Sequence, residues 1–319
     1  MSIQRIFNEI FFRFDLMKFI VPMKRKLLFA AIALLSFTGG RSAAQGIAPQ
    51  DMEKFKKMED SLVVSADSMY EAFLPDTRVM YSERFARQLV RTLKIPNSYL
   101  YTFDSLQKLI SILNSDDNSF RIFNWVIEPA KVSRRYYGAI QLNQPQLKLI
   151  GLNDYSEQLD KGLEDSTISG GKWFGALYYR IMTREVKGQK VYFLFGLNSG
   201  GLLSNRKVID PMTFSPTGSG VTFGAPVFGI GSHNFPKTPV KRFVLEYKKD
   251  VSASMNWDQE RQMIVFDKLT SVSNDPNRKY TYVPSGQYDG LYWANDMWNL
   301  KRDLVDITVL QDGQAPGGE

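Results

Sequence analysis

The hydrophobic pattern of the chain changes period once, near Ser115. Ahead of that point apolar residues recur at steps of three and four. Met52, Phe55, Met58, Leu62, Ala66, Met69 and Phe73 line one face of a helix predicted over 50–73. Asp51 and Glu53 stand near its start, where carboxylates suit the positive end of the helix dipole, and Pro75 lies just past its end. A second helix is predicted over 82–94, with Phe85, Leu89 and Leu93 inward and Pro96 as its stop. A third is predicted over 105–113, with Leu106, Leu109, Ile110 and Leu113 on its core side.

After Ser115 the period moves towards two. Residues 120–125 alternate with apolar side chains on both sides. Aromatic and β-branched runs predict strands over 137–142, 148–152, 174–184, 190–197, 206–214, 242–248, 253–257 and 262–267. Turn chemistry separates them at Ser115-Asp116-Asp117-Asn118, Lys187-Gly188-Gln189, Asn198-Ser199-Gly200-Gly201, Asp258-Gln259-Glu260 and Pro284-Ser285-Gly286. Many strands on short turns give an antiparallel meander. The predicted fold is α+β and mainly β: a short N-terminal helical region packed on a large antiparallel β domain, as a sandwich, a barrel or a propeller-like stack. No clean internal repeat appears, which weighs against the propeller. Residues 215–239 form a long loop rich in Gly, Pro and Phe, of a length that is usually functional or mobile.

The N-terminal 44 residues stand outside this pattern. Lys24, Arg25 and Lys26 precede an apolar run over 27–37, and Ser42-Ala43-Ala44 offers small residues for a signal peptidase. The run has the length of a signal core and is too short to span a bilayer. Cleavage near Ala44 predicts an exported protein starting at Gln45, in the periplasm or at the cell surface. The signal begins late, so Met23 or Met17 competes with Met1 as the initiator. The predicted division is a leader over 1–44 with the signal at 23–44, a helical region over 45–114, a β domain over 115–311 and a tail over 312–319. No later apolar run is long enough for a transmembrane helix.

This leader also explains the charge. The chain is formally +7, but the leader holds seven Lys/Arg and two acids, leaving 33 basic and 31 acidic residues beyond it. That balance gives no basic footprint for nucleic acid. The absence of cysteine excludes disulfides, thiol catalysis, thiolate metal sites and a lipid anchor on cysteine. No cofactor is expected.

Candidate chemistry is sparse. The lone histidine, His233, satisfies the arithmetic of a Ser-His-Asp triad, but no Gly-x-Ser-x-Gly elbow accompanies it. Glycoside hydrolysis needs only two carboxylates, for which Glu246, Asp258, Glu260, Asp267 and Asp289 are candidates. Their plainer roles are a solvated hairpin tip for Asp258 and Glu260, a water-facing position or a strand ion pair with Arg242 or Lys248 for Glu246, and a turn hold for Asp267. Tyr288, Asp289, Tyr292 and Trp293 combine an acid with aromatic faces, as a sugar-stacking platform or as a turn followed by a core strand. Asp116-Asp117-Asn118 and Asn274-Asp275-Pro276-Asn277 lack the twelve-residue calcium pattern and read as turns. Gly218-Ser219-Gly220 and Gly229-Ile230-Gly231 lack the setting of a phosphate loop. Arg84, Arg87, Arg91 and Lys94 form a basic side of the second helix, a solvated face before a membrane-surface or acidic-partner one.

Several segments together resemble an uncharacterised family of exported β-rich proteins of the Bacteroidota. They are Trp173-Phe174-Gly175-Ala176-Leu177-Tyr178-Tyr179, Arg206-Lys207-Val208-Ile209-Asp210, Phe223-Gly224-Ala225-Pro226-Val227-Phe228, Arg242-Phe243-Val244-Leu245-Glu246-Tyr247, Ile264-Val265-Phe266-Asp267-Lys268-Leu269 and the stretch from Tyr282 to Leu291. The likeness runs from about Ser98 to Trp298 and implies an exported β-rich protein without an assigned activity. Lys268 stands where the family pattern often has His, and Ser285 where it often has Asp. With no thiol, one histidine, no metal signature and no nucleotide loop, the expected function is non-catalytic: binding or scaffolding a cell-envelope component, either protein or glycan. The alternative is a carboxylate-dependent glycan hydrolase.

Overall fold

The computed structural model describes residues 46–130, 133–159, 162–230, 238–273, 275 and 277–304. The leader, the tail and His233 lie outside them. None of the described helices is long and apolar enough to cross a membrane.

Two helices, α1 (Pro49–Glu71) and α2 (Pro75–Leu93), open the fold. The α1 stripe buries Phe55, Leu62, Ala66 and Met69 as the spacing predicts, but Phe73 falls beyond the helix and is 91% exposed. Pro75 lies past the end of α1, as expected, and it also begins α2, because proline at the first helical position loses no hydrogen bond. The predicted third helix is absent. Its place is taken by a 3-10 turn, Leu106–Lys108, and by β1 (Ser111–Asn114). Leu106 and Ile110 do reach the core, so the helical spacing was real. A segment that short is marginal as a helix, and pairing of Ser111–Asn114 with the next strand prevails.

Three antiparallel meanders follow, with one short parallel strand. The first sheet orders β1, β2 (Phe120–Ala130), β3 (Ser133–Leu142), β4 (Leu149–Asp154) and the parallel β5 (Lys172–Trp173). The second contains β6 (Leu177–Val186), β7 (Gln189–Asn198), β8 (Ser204–Phe214) and β10 (Phe243–Lys248), with β9 (Val221–Phe223) added to β8 from within the predicted long loop. The third orders β11 (Met255–Asp258), β12 (Met263–Ser271), β13 (Tyr282–Ala294) and β14 (Met297–Lys301). No sheet closes into a barrel. Two hairpins turn on paired left-handed residues, Lys187-Gly188 and Asn295-Asp296, the geometry that matches strand twist. The predicted turn at Pro284-Ser285-Gly286 is instead part of β13, at a bulge opposite Asp267 and Leu269 where Gly286 takes φ 81°.

Alternation along the strands stacks these layers. In β2, Phe123 and Trp125 face the helices while Phe120 and Ile122 face the second sheet. In β7, Tyr192 and Leu194 face the first sheet while Phe193 and Phe195 face the third. The order is helices, first sheet, second sheet, third sheet, with a separate apolar core in each gap. Trp125 fixes the first gap: it stacks on Tyr137 at 5.4 Å, meets Phe85 edge-on at 5.0 Å, and donates from Nε1 to Ser82 at 2.9 Å.

The acidic turn between β1 and β2 stitches the next gap. Asp117 accepts hydrogen bonds from Ser115, Ser119 and Tyr192 and pairs with Lys190 at 2.7 Å, while Asp116 accepts from the Thr183 backbone N–H. Burial alone raises the Asp117 carboxyl, but bonds from Lys190, Ser119 and Ser115 outweigh it and hold the group well below the usual carboxylate range. A depressed carboxylate stabilises above its unfolded pKa of about 4 and loses that contribution as pH falls through its folded value. Asp117→Asn is therefore expected to cost about 1–2 kcal/mol at neutral pH. In urea unfolding across pH, that deficit should shrink below about pH 4. A pH-independent deficit would refute this role.

Candidate functional site

A cleft of about 280 Å³ opens between the edge of the second sheet and the third sheet. Residues 243–246 of β10 form one wall, and Phe266, Lys268, Leu269, Tyr282, Asp289 and Leu300 form the other. β10 ends its sheet, with β8 as its one strand partner among the described residues. The register shift between Asp267 and Leu269 falls at Lys268, and all three residues line the cleft.

Glu246, Asp267 and Asp289, named from sequence, all line this cleft. Each is occupied as an acceptor. Glu246 takes the Ser204 hydroxyl at 2.5 Å and pairs with Arg206 at 3.2 Å, not with the expected Arg242 or Lys248. Asp267 accepts from the Ser254 backbone N–H at 2.5 Å, across strands, and not from the turn that follows it. Asp289 is 7% exposed and accepts from the Asp303 N–H at 2.8 Å. Three cations also line the cleft or its rim. Lys268 pairs with Asp303, and Lys279 with Glu164 at 3.2 Å. Arg302 is exposed and has no ion-pair partner among the described residues.

Asp258 and Glu260 lie elsewhere, at the β11–β12 hairpin. The Asp258 carboxylate accepts from the Arg261 and Glu260 N–H groups, which with the Arg261 side chain hold it below its ordinary value. The aromatic platform is divided by the pleat. Tyr288 and Tyr292 face outward, 45% and 41% exposed. Asp289 and Trp293 face inward, Trp293 against Phe193 at 5.7 Å and Trp298 at 5.0 Å. The four side chains therefore do not share one surface. Ser285 and Lys268 are neighbours, with the Ser285 hydroxyl donating to the Lys268 carbonyl at 2.9 Å. Among the described residues no group of three His, Asp or Glu is placed to hold a metal ion.

Sequence reasoning missed a fully buried network beside the cleft. Arg242 pairs with Asp210 at 2.8 Å and donates to the Leu163 carbonyl at 2.6 Å. Trp173 Nε1 donates to the Tyr178 hydroxyl at 2.7 Å, and that hydroxyl points at Asp210 from 3.4 Å. Burial pushes the Asp210 carboxyl up against the pull of Arg242, and burial pushes the Tyr178 phenol up further. A raised acid in a cleft would suit catalysis. This one is 0% exposed, so no substrate reaches it. Trp173, Tyr178, Asp210 and Arg242 are spread over some seventy residues of the chain, so no local spacing marks them as one network.

Comparison with family models, curated proteins and solved structures finds no match.

Proposed function

We propose that the protein is a non-catalytic, exported binding protein that holds an envelope component in the cleft between the second and third sheets. The observation that carries this reading is the division of labour in the cleft. Its walls are largely apolar, its carboxylates are engaged as acceptors, and Arg302 at its rim has no ion-pair partner among the described residues. Such a site suits a ligand with an apolar body and an anionic group, buried against Phe243, Phe266 and Leu269 and oriented by the guanidinium. Export rests on the signal pattern over 23–44, and the resemblance to exported Bacteroidota proteins supports it.

One observation favours the second reading, a carboxylate-dependent glycan hydrolase: three acids share one cleft. The readings separate on whether the ligand is changed. An envelope fraction passed over immobilised protein should yield a ligand that is released intact and rebinds the purified chain. Arg302→Glu, at an exposed position on the rim of the cleft, should lower that rebinding by about tenfold or more. Equal rebinding by wild type and variant would remove the cleft from the account.

A further inference from the structure

Another end of the second sheet carries features that the cleft does not use. The turn joining β7 to β8 lifts Leu202 and Leu203 into solvent, 70% and 61% exposed. Beside them lies a second pocket, of about 100 Å³, whose polar lining includes Glu128, Arg134, Ser199 and Lys249. Arg134 pairs with Glu128 at 2.7 Å and donates to the Ser199 hydroxyl. The Lys249 ammonium donates to the carbonyls of Ser199, at 2.5 Å, and Gly201, at 3.0 Å. The hollow thus holds two cations against one carboxylate, which pairs with Arg134, and the Lys249 ammonium has a third hydrogen to give. Burial and the Arg134 charge lower the Lys249 pKa against the pull of Glu128, a penalty that a seated anion would relieve.

A second apolar tip stands at the same end. Phe73 and Leu74, 91% and 59% exposed, occupy the link between α1 and α2. Arg78 ties that link to the pocket, donating to the Ala72 carbonyl at 2.7 Å and the Glu128 carbonyl at 3.3 Å. A hydrogen-bonded path therefore runs from one tip to the other through Glu128 and Arg134. Glu71 and Asp76 are exposed acids beside this second tip, so the pocket, with Arg134 and Lys249, is where an anion finds favourable charge. Protruding apolar side chains on separate turns, flanking a phosphate-sized cationic hollow, match a bilayer interface. There the headgroup phosphates lie above an apolar layer, and lysine and arginine reach up to them. A protein partner would instead call for a contiguous apolar patch with a desolvated centre.

We propose that this end docks on a phospholipid surface, with a headgroup phosphate between Arg134 and Lys249 and with Leu202, Leu203, Phe73 and Leu74 entering the interface. The test uses the chain from Gln45 onward. It contains every described element and leaves out the apolar run over 27–37, so that any vesicle binding belongs to the described fold. The chain should co-sediment with phosphatidylglycerol vesicles and more weakly with phosphatidylcholine vesicles. Leu202→Ser with Leu203→Ser changes exposed positions alone and should weaken binding roughly tenfold or more at an unchanged thermal midpoint. Lys249→Gln should erase the preference for phosphatidylglycerol. Calorimetry with inorganic phosphate separates the other source of the same chemistry. Phosphate binding without vesicle binding would make this a free-anion site and overturn the proposal. Failure of wild type to bind vesicles, or undiminished binding by the leucine variant, would also overturn it.

Discussion

Arg242→Met should destabilise the fold by about 3–5 kcal/mol, because it strands a charge that the structure has sealed between layers. Arg242 and Asp210 are both 0% exposed. Without the guanidinium, Asp210 keeps one weak donor, the Tyr178 hydroxyl at 3.4 Å. The carboxyl, already pushed up by burial, would rise further and take a proton. A carboxyl raised above its unfolded value binds more protons folded than unfolded, so it favours folding below the unfolded pKa and loses that advantage as pH rises. The penalty should therefore be larger at pH 7 than near pH 4, as read by urea unfolding at both. Adding Asp210→Leu should restore a good part of the loss by removing the stranded charge. Restoration stays incomplete, because Arg242 also serves the Leu163 carbonyl and the Ser166 hydroxyl. A double variant as unstable as the single one would show that the pair contributes chiefly through shape.

Glu59→Ala should cost about 3 kcal/mol or more by a different route, leaving buried donors unpaired. Glu59 is 5% exposed on the inner stripe of α1. Its carboxylate accepts from the Tyr101 hydroxyl at 2.5 Å and from the Ser105 and Leu106 N–H groups at 2.8 and 2.9 Å. Burial raises the Tyr101 phenol well above its ordinary value, and its bond to Glu59 adds to the rise. This one acid pins the segment from Tyr101 to Leu106, where Phe103 holds φ 59°. Loosening that segment also exposes Arg121, which is 2% exposed and donates to the Tyr101 and Ser98 carbonyls and to Gln141. Burial brings the Arg121 pKa down to about 10. Hydrogen exchange should quicken over 98–110 in Glu59→Ala, and Glu59→Gln, with one acceptor oxygen left, should recover part of the protection. Unchanged exchange there would mean that α1 packing alone holds the segment.

The parts of the fold legible from sequence are those set by local periodicity. Phe55, Leu62, Ala66 and Met69 fall on the buried stripe because one helix presents them, and the aromatic runs became strands because both faces of the inner sheets are covered. Apolar residues on both sides of Phe120–Trp125 already carried that signal. Boundaries set by partners were not legible. Nothing local shows that Ser111–Asn114 would pair with Arg121–Asn124, or that Glu59 would cap a turn more than forty residues away. The same limit governs the site. Glu246, Asp267 and Asp289 were visible as acids, but their convergence depends on β10 lying against β12 and β13, which only stacking decides. Arg302, between Lys301 and Asp303 just past the last strand of the third sheet, forms no sequence pattern.

The central claim is that the cleft holds a ligand without transforming it. Its most direct test is incubation of the purified wild-type chain with isolated envelope glycans, beside an Asp267→Asn, Asp289→Asn variant, with reducing ends and fragment masses followed over time. The expected result is no new reducing ends and no new fragments with either protein. Glycan cleavage by wild type that disappears in the variant would contradict the claim and make Asp267 and Asp289 catalytic.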